Sequence, residues 1–149
     1  MEYRDKISNG LNELLLKNYH TQKGYLNAIE NVEDDRLKLF FERCVADKNK
    51  FDTQLRHEIV NFGTKPQSTD SFAESLNRNW MNLKTLFSNN SELMVLEEAI
   101  KEEKSNLNTY DDFIKNTKLP KSTSNMLQAQ KASIRNVIDT EQSYLKIIL

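Results

Sequence analysis

Apolar residues recur every three or four positions along four long stretches of the chain, which is the spacing of one buried face on an α-helix. The clearest of these stretches covers residues 93–114, and its stripe consists of Leu93, Leu96, Ile100, Leu107, Tyr110 and Ile114. A carboxylate interrupts this stripe near its middle, at Glu103. A buried carboxylate is costly unless a partner compensates it. The partner of Glu103 is therefore the main functional question that the sequence raises.

The first two helices are predicted to form a tight antiparallel hairpin. The first covers about residues 3–32, and the second carries an apolar stripe over residues 37–62 and ends before Gly63. Only residues 33–35 separate the two stripes, and so short a connection returns the second helix against the first. Counting outward from this turn brings Asn18 level with residues close to Asp47 and Lys48, so the polar interruptions of the two stripes meet.

The last two helices are predicted to pair in the same way. Ser91 is expected to cap the third helix, which ends near Asn116, and the fourth begins at about Ser122 or Thr123. The stripe of the fourth helix consists of Leu127, Gln130, Ile134, Val137, Glu141, Tyr144, Leu145 and Ile148. Counting back along both helices from the connection between them places Glu141 about one helical turn from the level of Glu103.

The long connection between the second and third helices, residues 64–90, is predicted to contain a further amphipathic helix over residues 71–87. Its apolar stripe consists of Phe72, Leu76, Trp80, Leu83 and Phe87. This stripe is predicted either to pack against its own bundle or to form a homodimer. Two tight hairpins joined by one long crossover indicate an all-α, ferritin-like four-helix bundle with an additional helix in that crossover.

Polar residues near one level of all four long helices predict a polar layer in the core. Its members are Asn18, Gln22, Asp47, Lys48, Glu103, Gln130 and Glu141. In the favoured interpretation this layer is a structural cluster, in which Lys48 or an amide satisfies Glu103. A small-ligand pocket is a further alternative.

A dimetal centre of iron or manganese is the sharpest alternative, with Asp47, Glu103 and Glu141 as its weak candidate ligands. Ferritin-like dimetal sites use Glu-x-x-His pairs, because that spacing directs both side chains inward. Neither of the two histidines, His20 and His57, follows a glutamate by three positions. Lys48 is predicted to lie in the same polar layer, and its positive charge would repel a cation. We therefore expect no bound cofactor.

Composition narrows the class of protein further. The 149 residues suffice for one domain, 1–149, and the net charge of -1 provides no field for nucleic acid. No apolar run is long enough to span a membrane, and the single cysteine, Cys44, cannot form an internal disulfide. We expect a cytoplasmic protein. The chain has no Gly-rich phosphate loop, Cys-x-x-Cys pair or nucleophile elbow, so we expect no enzyme activity.

Residues 76–84, Leu-Asn-Arg-Asn-Trp-Met-Asn-Leu-Lys, resemble a motif of a bacterial family of unknown function with a ferritin-like fold. Further similarity to that family lies at Gly24-Tyr25 with Ala28 and Glu30, at Leu96-Glu97-Glu98 with Glu103, and at Tyr110. The resemblance spans most of the chain and implies the fold, but it implies no reaction.

The resemblance also implies four positions that hold potential metal ligands in relatives. These are a carboxylate where Gln22 stands, an acid at Asp47, a glutamate at Glu103 and a histidine at about Ile138. Two of these four positions hold residues here that are not metal ligands. The sequence thus predicts a structural or binding protein of unknown biochemical function without an intact dimetal site. The alternative is a carboxylate-bound di-iron or di-manganese protein in oxidative or metal stress.

Overall fold

A computed structural model describes residues 2–67 and 91–148, and the regular elements in these two ranges are four α-helices. They are α1, Tyr3–Asn31; α2, Asp35–Asn61; α3, Ser91–Asn116; and α4, Lys121–Ile148. Within these ranges the prediction of four long helices and no strands is confirmed, and the predicted bounds agree closely. In the described ranges no helix is long and apolar enough to cross a membrane. The additional helix predicted over residues 71–87 lies outside the described residues.

The ends of α2 follow from local chemistry. The Asp34 side chain accepts a hydrogen bond from the backbone N–H of Leu37 at 3.0 Å, which satisfies one of the unpaired donors in the first turn. At the other end Gly63 has φ 79, the left-handed conformation that closes a helix and that a residue without a Cβ adopts easily. The sequence had indicated this glycine as the stop.

The order of neighbours defines the bundle. Helix α1 packs against α2 and α3, and α4 packs against α3 and α2. The backbone N–H of Asp34, between α1 and α2, donates to the carboxylate of Glu92 in the first turn of α3 at 3.2 Å. The Lys6 ammonium, near the start of α1, donates to the carbonyl of Asn116 at the end of α3 at 2.9 Å. Helix α3 is therefore antiparallel to α1 and parallel to α2. As a result α2 ends at one end of the bundle and α3 begins at the other.

Two apolar clusters fill the interior. The cluster nearer the start of α1 contains Ile7, Leu11, Leu14, Leu15, Phe51, Leu55, Ile59, Ile100, Tyr110, Leu127, Ile134 and Ile138. The cluster nearer the end of α1 contains Tyr25, Ala28, Val32, Leu37, Phe41, Cys44, Val95, Leu96 and Ala99. The predicted stripe of α4 differs from the structure at two positions. Ile138 is buried in place of the predicted Val137, which is only half-buried, and Ile148 is exposed. Buried polar side chains, among them Lys48 and Glu103, lie between the clusters.

A close approach between α1 and α3 depends on Gly10. A Cβ at this position would overlap the ring of Phe113, which packs on the edge of the first cluster. We expect Gly10→Ala to lower the free energy of unfolding, because overpacking costs about 1–3 kcal/mol and exceeds the gain of about 1 kcal/mol in helix propensity.

Urea denaturation in two backgrounds tests this contact. In a Phe113→Ala background the ring is gone, and the same Gly10→Ala change should then stabilise the chain through helix propensity. The expected result is a reversal of sign between the two backgrounds. A loss of equal size in both would show that Phe113 is not what the glycine accommodates.

Candidate functional site

Lys48 is the partner of Glu103. Its Nζ lies 2.8 Å from Oε1 of Glu103, and the side chains are 3% and 1% exposed. The same ammonium donates to Oδ1 of Asn18 at 3.0 Å, an oxygen that also accepts from Nδ2 of Asn106 at 2.9 Å. A buried charge on α3 is thus compensated by a buried charge on α2, and an amide of α1 supports the pair.

Glu103 has a second neighbour on the opposite side of its carboxylate. The hydroxyl of Tyr25 lies 3.1 Å from Oε2 of Glu103 and 3.1 Å from Oε2 of Glu141. Both glutamates are fully buried. The hydroxyl of one tyrosine therefore bridges two carboxyl groups that come from α3 and α4.

The hydrogen bonds continue from Asn18 toward the other end of the bundle. Nδ2 of Asn18 donates to the hydroxyl of Tyr110 at 2.8 Å and to the carbonyl of Leu14 at 2.9 Å. The Tyr110 hydroxyl donates to Oε1 of Gln130 at 2.6 Å, and Nε2 of Gln130 donates to Oε1 of Gln54 at 3.0 Å. With two donated and two accepted bonds, the Asn18 amide uses its full hydrogen-bonding capacity.

These contacts join into one network, which we call the core network. Every helix contributes at least two of its side chains, and its members are Asn18, Tyr25, Lys48, Gln54, Glu103, Asn106, Tyr110, Gln130 and Glu141. On α4 it extends from Gln130 to Glu141, about 16 Å at a rise of 1.5 Å per residue. The network therefore fixes the rotation and the axial position of all four helices relative to one another.

Burial dominates the electrostatics of this region. It raises the pKa of Glu141 well above the usual value of a carboxyl, and the charge of Glu103 raises it further. Burial likewise raises the pKa of Tyr25, with Glu103 and Glu141 adding to the shift. Burial and the nearby Glu141 raise the pKa of the Cys44 thiol. Cys44 is therefore held as a thiol, which is a poor nucleophile.

The sequence profile of the family described as Domain of unknown function (DUF2383) matches residues 6–116. The chain belongs to this family. No curated protein and no solved structure matches the chain significantly. The DUF2383 match covers nearly all of α1 and reaches the last residue of α3, so Lys48 and Glu103 lie inside it, while Glu141 on α4 lies outside.

The structure of this DUF2383 chain brings together five of the seven residues predicted for the polar layer, namely Asn18, Lys48, Glu103, Gln130 and Glu141. It places the other two elsewhere. Gln22 donates to Asn49 on the outside of the α1–α2 pair, and Asp47 is half-buried beside Lys48. Consecutive residues of a helix point about 100° apart, so two neighbours cannot both face the core. On α1 the buried neighbour is Thr21 and not Gln22, and on α2 it is Lys48 and not Asp47.

Sequence reasoning missed four members of the core network. Tyr110 fits the apolar stripe of α3 and Tyr25 fits the apolar spacing of α1, although a buried tyrosine hydroxyl needs a polar partner. Asn106 was overlooked, although it lies three residues after Glu103 and therefore on the same helix face. Gln54 carried no signal of its own. The five apolar residues predicted for an interface, Phe72, Leu76, Trp80, Leu83 and Phe87, lie outside the described residues.

A dimetal centre does not fit this arrangement. In residues 2–67 and 91–148, no group of three or more His, Cys, Asp and Glu side chains is placed to hold a metal ion. The ammonium of Lys48 already occupies the position beside Glu103 where a cation would bind. The gap next to this pair, lined in part by Cys44, Phe51 and Val137, is too narrow to admit a water molecule.

Proposed function

We propose that this chain is a ferritin-like helical bundle that acts as a structural or binding protein and not as a dimetal enzyme. The ferritin-like part of the proposal is supported by the order of the helices. Helix α2 is parallel to α3, so the end of α2 and the start of α3 lie at opposite ends of the bundle, as in four-helix bundles with one long crossover. A simple up-down-up-down bundle would place α3 antiparallel to α2.

The observation that carries the functional part is the contact between Lys48 and Glu103. Ferritin-like dimetal sites combine four carboxylates with two histidines in the middle of the bundle. Here an ammonium lies 2.8 Å from one of two core glutamates, and an amide lies on its other side. The positive charge that a metal ion would supply comes from the chain itself.

Such a network suits a structural role. Four helices with similar apolar stripes can pack in several registers, and a buried polar pair excludes those registers in which it is unsatisfied. The core network requires side chains from all four helices at once, so only one arrangement satisfies it. A precisely shaped bundle can then present a binding surface. For that surface we propose the stripe of Phe72, Leu76, Trp80, Leu83 and Phe87, and a homodimer through it.

Metal content tests the proposal. The protein would be purified from cells grown with added iron and manganese and analysed by inductively coupled plasma mass spectrometry. We expect far less than one metal ion per chain, because Lys48 neutralises Glu103. The matched control is a Glu103→Gln, Glu141→Gln double variant, which keeps side-chain size.

Metal near one or two ions per chain that is lost in the double variant would overturn the proposal. It would instead support the alternative, a carboxylate-bound iron or manganese protein in oxidative or metal stress. Equal trace amounts in both proteins would agree with a structural core, because adventitious metal does not depend on two buried glutamates.

A further inference from the structure

We propose that Glu141 is buried as the neutral carboxylic acid, so that the folded chain holds one proton between its two core glutamates, bridged by the Tyr25 hydroxyl. This inference rests on the proposed function, since a metal ion bound to these glutamates would displace the proton. It assigns a protonation state to Glu141, and the structural role of the core network does not by itself require that state.

The argument starts from the number of hydrogens at the bridge. The Tyr25 oxygen lies 3.1 Å from Oε2 of Glu103 and 3.1 Å from Oε2 of Glu141. A hydroxyl has one hydrogen to donate, and an ionised carboxylate has none. If both glutamates were ionised, this single hydrogen would have to be shared between two negatively charged groups in a three-centre bond. A proton on one carboxyl group gives each contact its own hydrogen, because that carboxyl donates to Tyr25, which in turn donates to the other.

The surroundings decide which glutamate carries the proton. Glu103 has the ammonium of Lys48 at 2.8 Å, so its charged form is compensated. Glu141 has no such partner, and its second oxygen, Oε1, is buried without a hydrogen bond in the described part of the chain. An unpaired carbonyl oxygen of a neutral acid costs far less than an unpaired carboxylate oxygen.

The groups that face Glu141 come from all three of the other helices. Helix α1 contributes Tyr25, α2 contributes Cys44 and Lys48, and α3 contributes Glu103. Lys48 is the cation among them, and its bonds go to Glu103 and Asn18. With Glu141 neutral, the charges of this region sum to zero; with Glu141 ionised, a net negative charge would be buried.

A proton bound in the fold has a thermodynamic consequence. In the unfolded chain a glutamate ionises at a pH of about 4.3, whereas the folded chain keeps the proton on Glu141 at higher pH. Folding therefore takes up a proton, and stability is lost as pH rises until the folded Glu141 itself ionises. Because Glu141 lies on α4, the proton links the docking of this helix to pH.

The test compares the pH dependence of folding in the wild type and in Glu141→Gln, which mimics the neutral acid in size and polarity. Urea denaturation would be measured from about pH 5 upward in buffers with EDTA. Over this range the folding constant of the wild type should fall about tenfold more per pH unit than that of Glu141→Gln, which corresponds to one proton. Glu97→Gln, at an exposed position of α3, is the matched control and should follow the wild type.

Infrared spectroscopy provides a second measurement that does not depend on unfolding. The folded wild type at neutral pH should show the C=O stretch of a protonated carboxyl, and Glu141→Gln should lack that band. Parallel pH dependences in wild type and Glu141→Gln, or no such band, would overturn the proposal. A failure of the proposed function has a different signature, because EDTA would then change the stability of the wild type.

Discussion

Replacing Lys48 by methionine is expected to lower the free energy of unfolding by about 3–5 kcal/mol, the usual cost of removing one partner from a buried ion pair. Methionine has a similar length and fills the same space, so packing changes little. The change leaves the buried Glu103 without a compensating cation, so this side chain either carries an unpaired charge or takes up a proton. It also removes one hydrogen-bond donor from Asn18. Urea denaturation followed by circular dichroism measures the loss.

Two further variants separate the lost pair from a general effect of the substitution. Lys50→Met makes the same change at an exposed position of α2 and should shift stability by less than about 0.5 kcal/mol. Combining Lys48→Met with Glu103→Gln removes both charges, and most of the loss should be recovered. A Lys48→Met chain as stable as Lys50→Met would mean that the ammonium is not buried against Glu103.

The sequence predicted the elements of this fold because the relevant signals are local. Each of the two helix-to-helix turns is short, and a short turn permits only an antiparallel return. Gly63 follows the last residues of α2 and takes the left-handed conformation that stops a helix. The interruption of the α3 stripe by Glu103 identified the level at which the core is polar. Each of these inferences needs only neighbouring residues in the chain.

The sequence could not determine which polar residues face one another, because that depends on the rotation of each helix. At residues 47 and 48 an acid and a base lie side by side, and a rotation of about 100° exchanges them. The structure turns Lys48 inward and leaves Asp47 half-buried. With Asp47 inward, three acids would have faced one another and a metal site would have been reasonable. The difference between the two functional hypotheses thus lies in one helix rotation.

Substituting Tyr110 by phenylalanine is expected to cost about 2–4 kcal/mol, although it removes a single oxygen atom. That oxygen accepts from Asn18 at 2.8 Å and donates to Gln130 at 2.6 Å. Its loss leaves Oε1 of Gln130 without this donor and one of the two Nδ2 hydrogens of Asn18 without an acceptor, at about 1–3 kcal/mol each. Denaturation in urea measures the cost, with Tyr144→Phe as the matched control. Tyr144 is half-buried against Phe40 and lies outside the core network, so we expect a change of less than about 0.5 kcal/mol there. If Tyr110→Phe were as harmless as its control, the two ends of the core network would not be coupled through α3, and the network would not specify the register of the bundle.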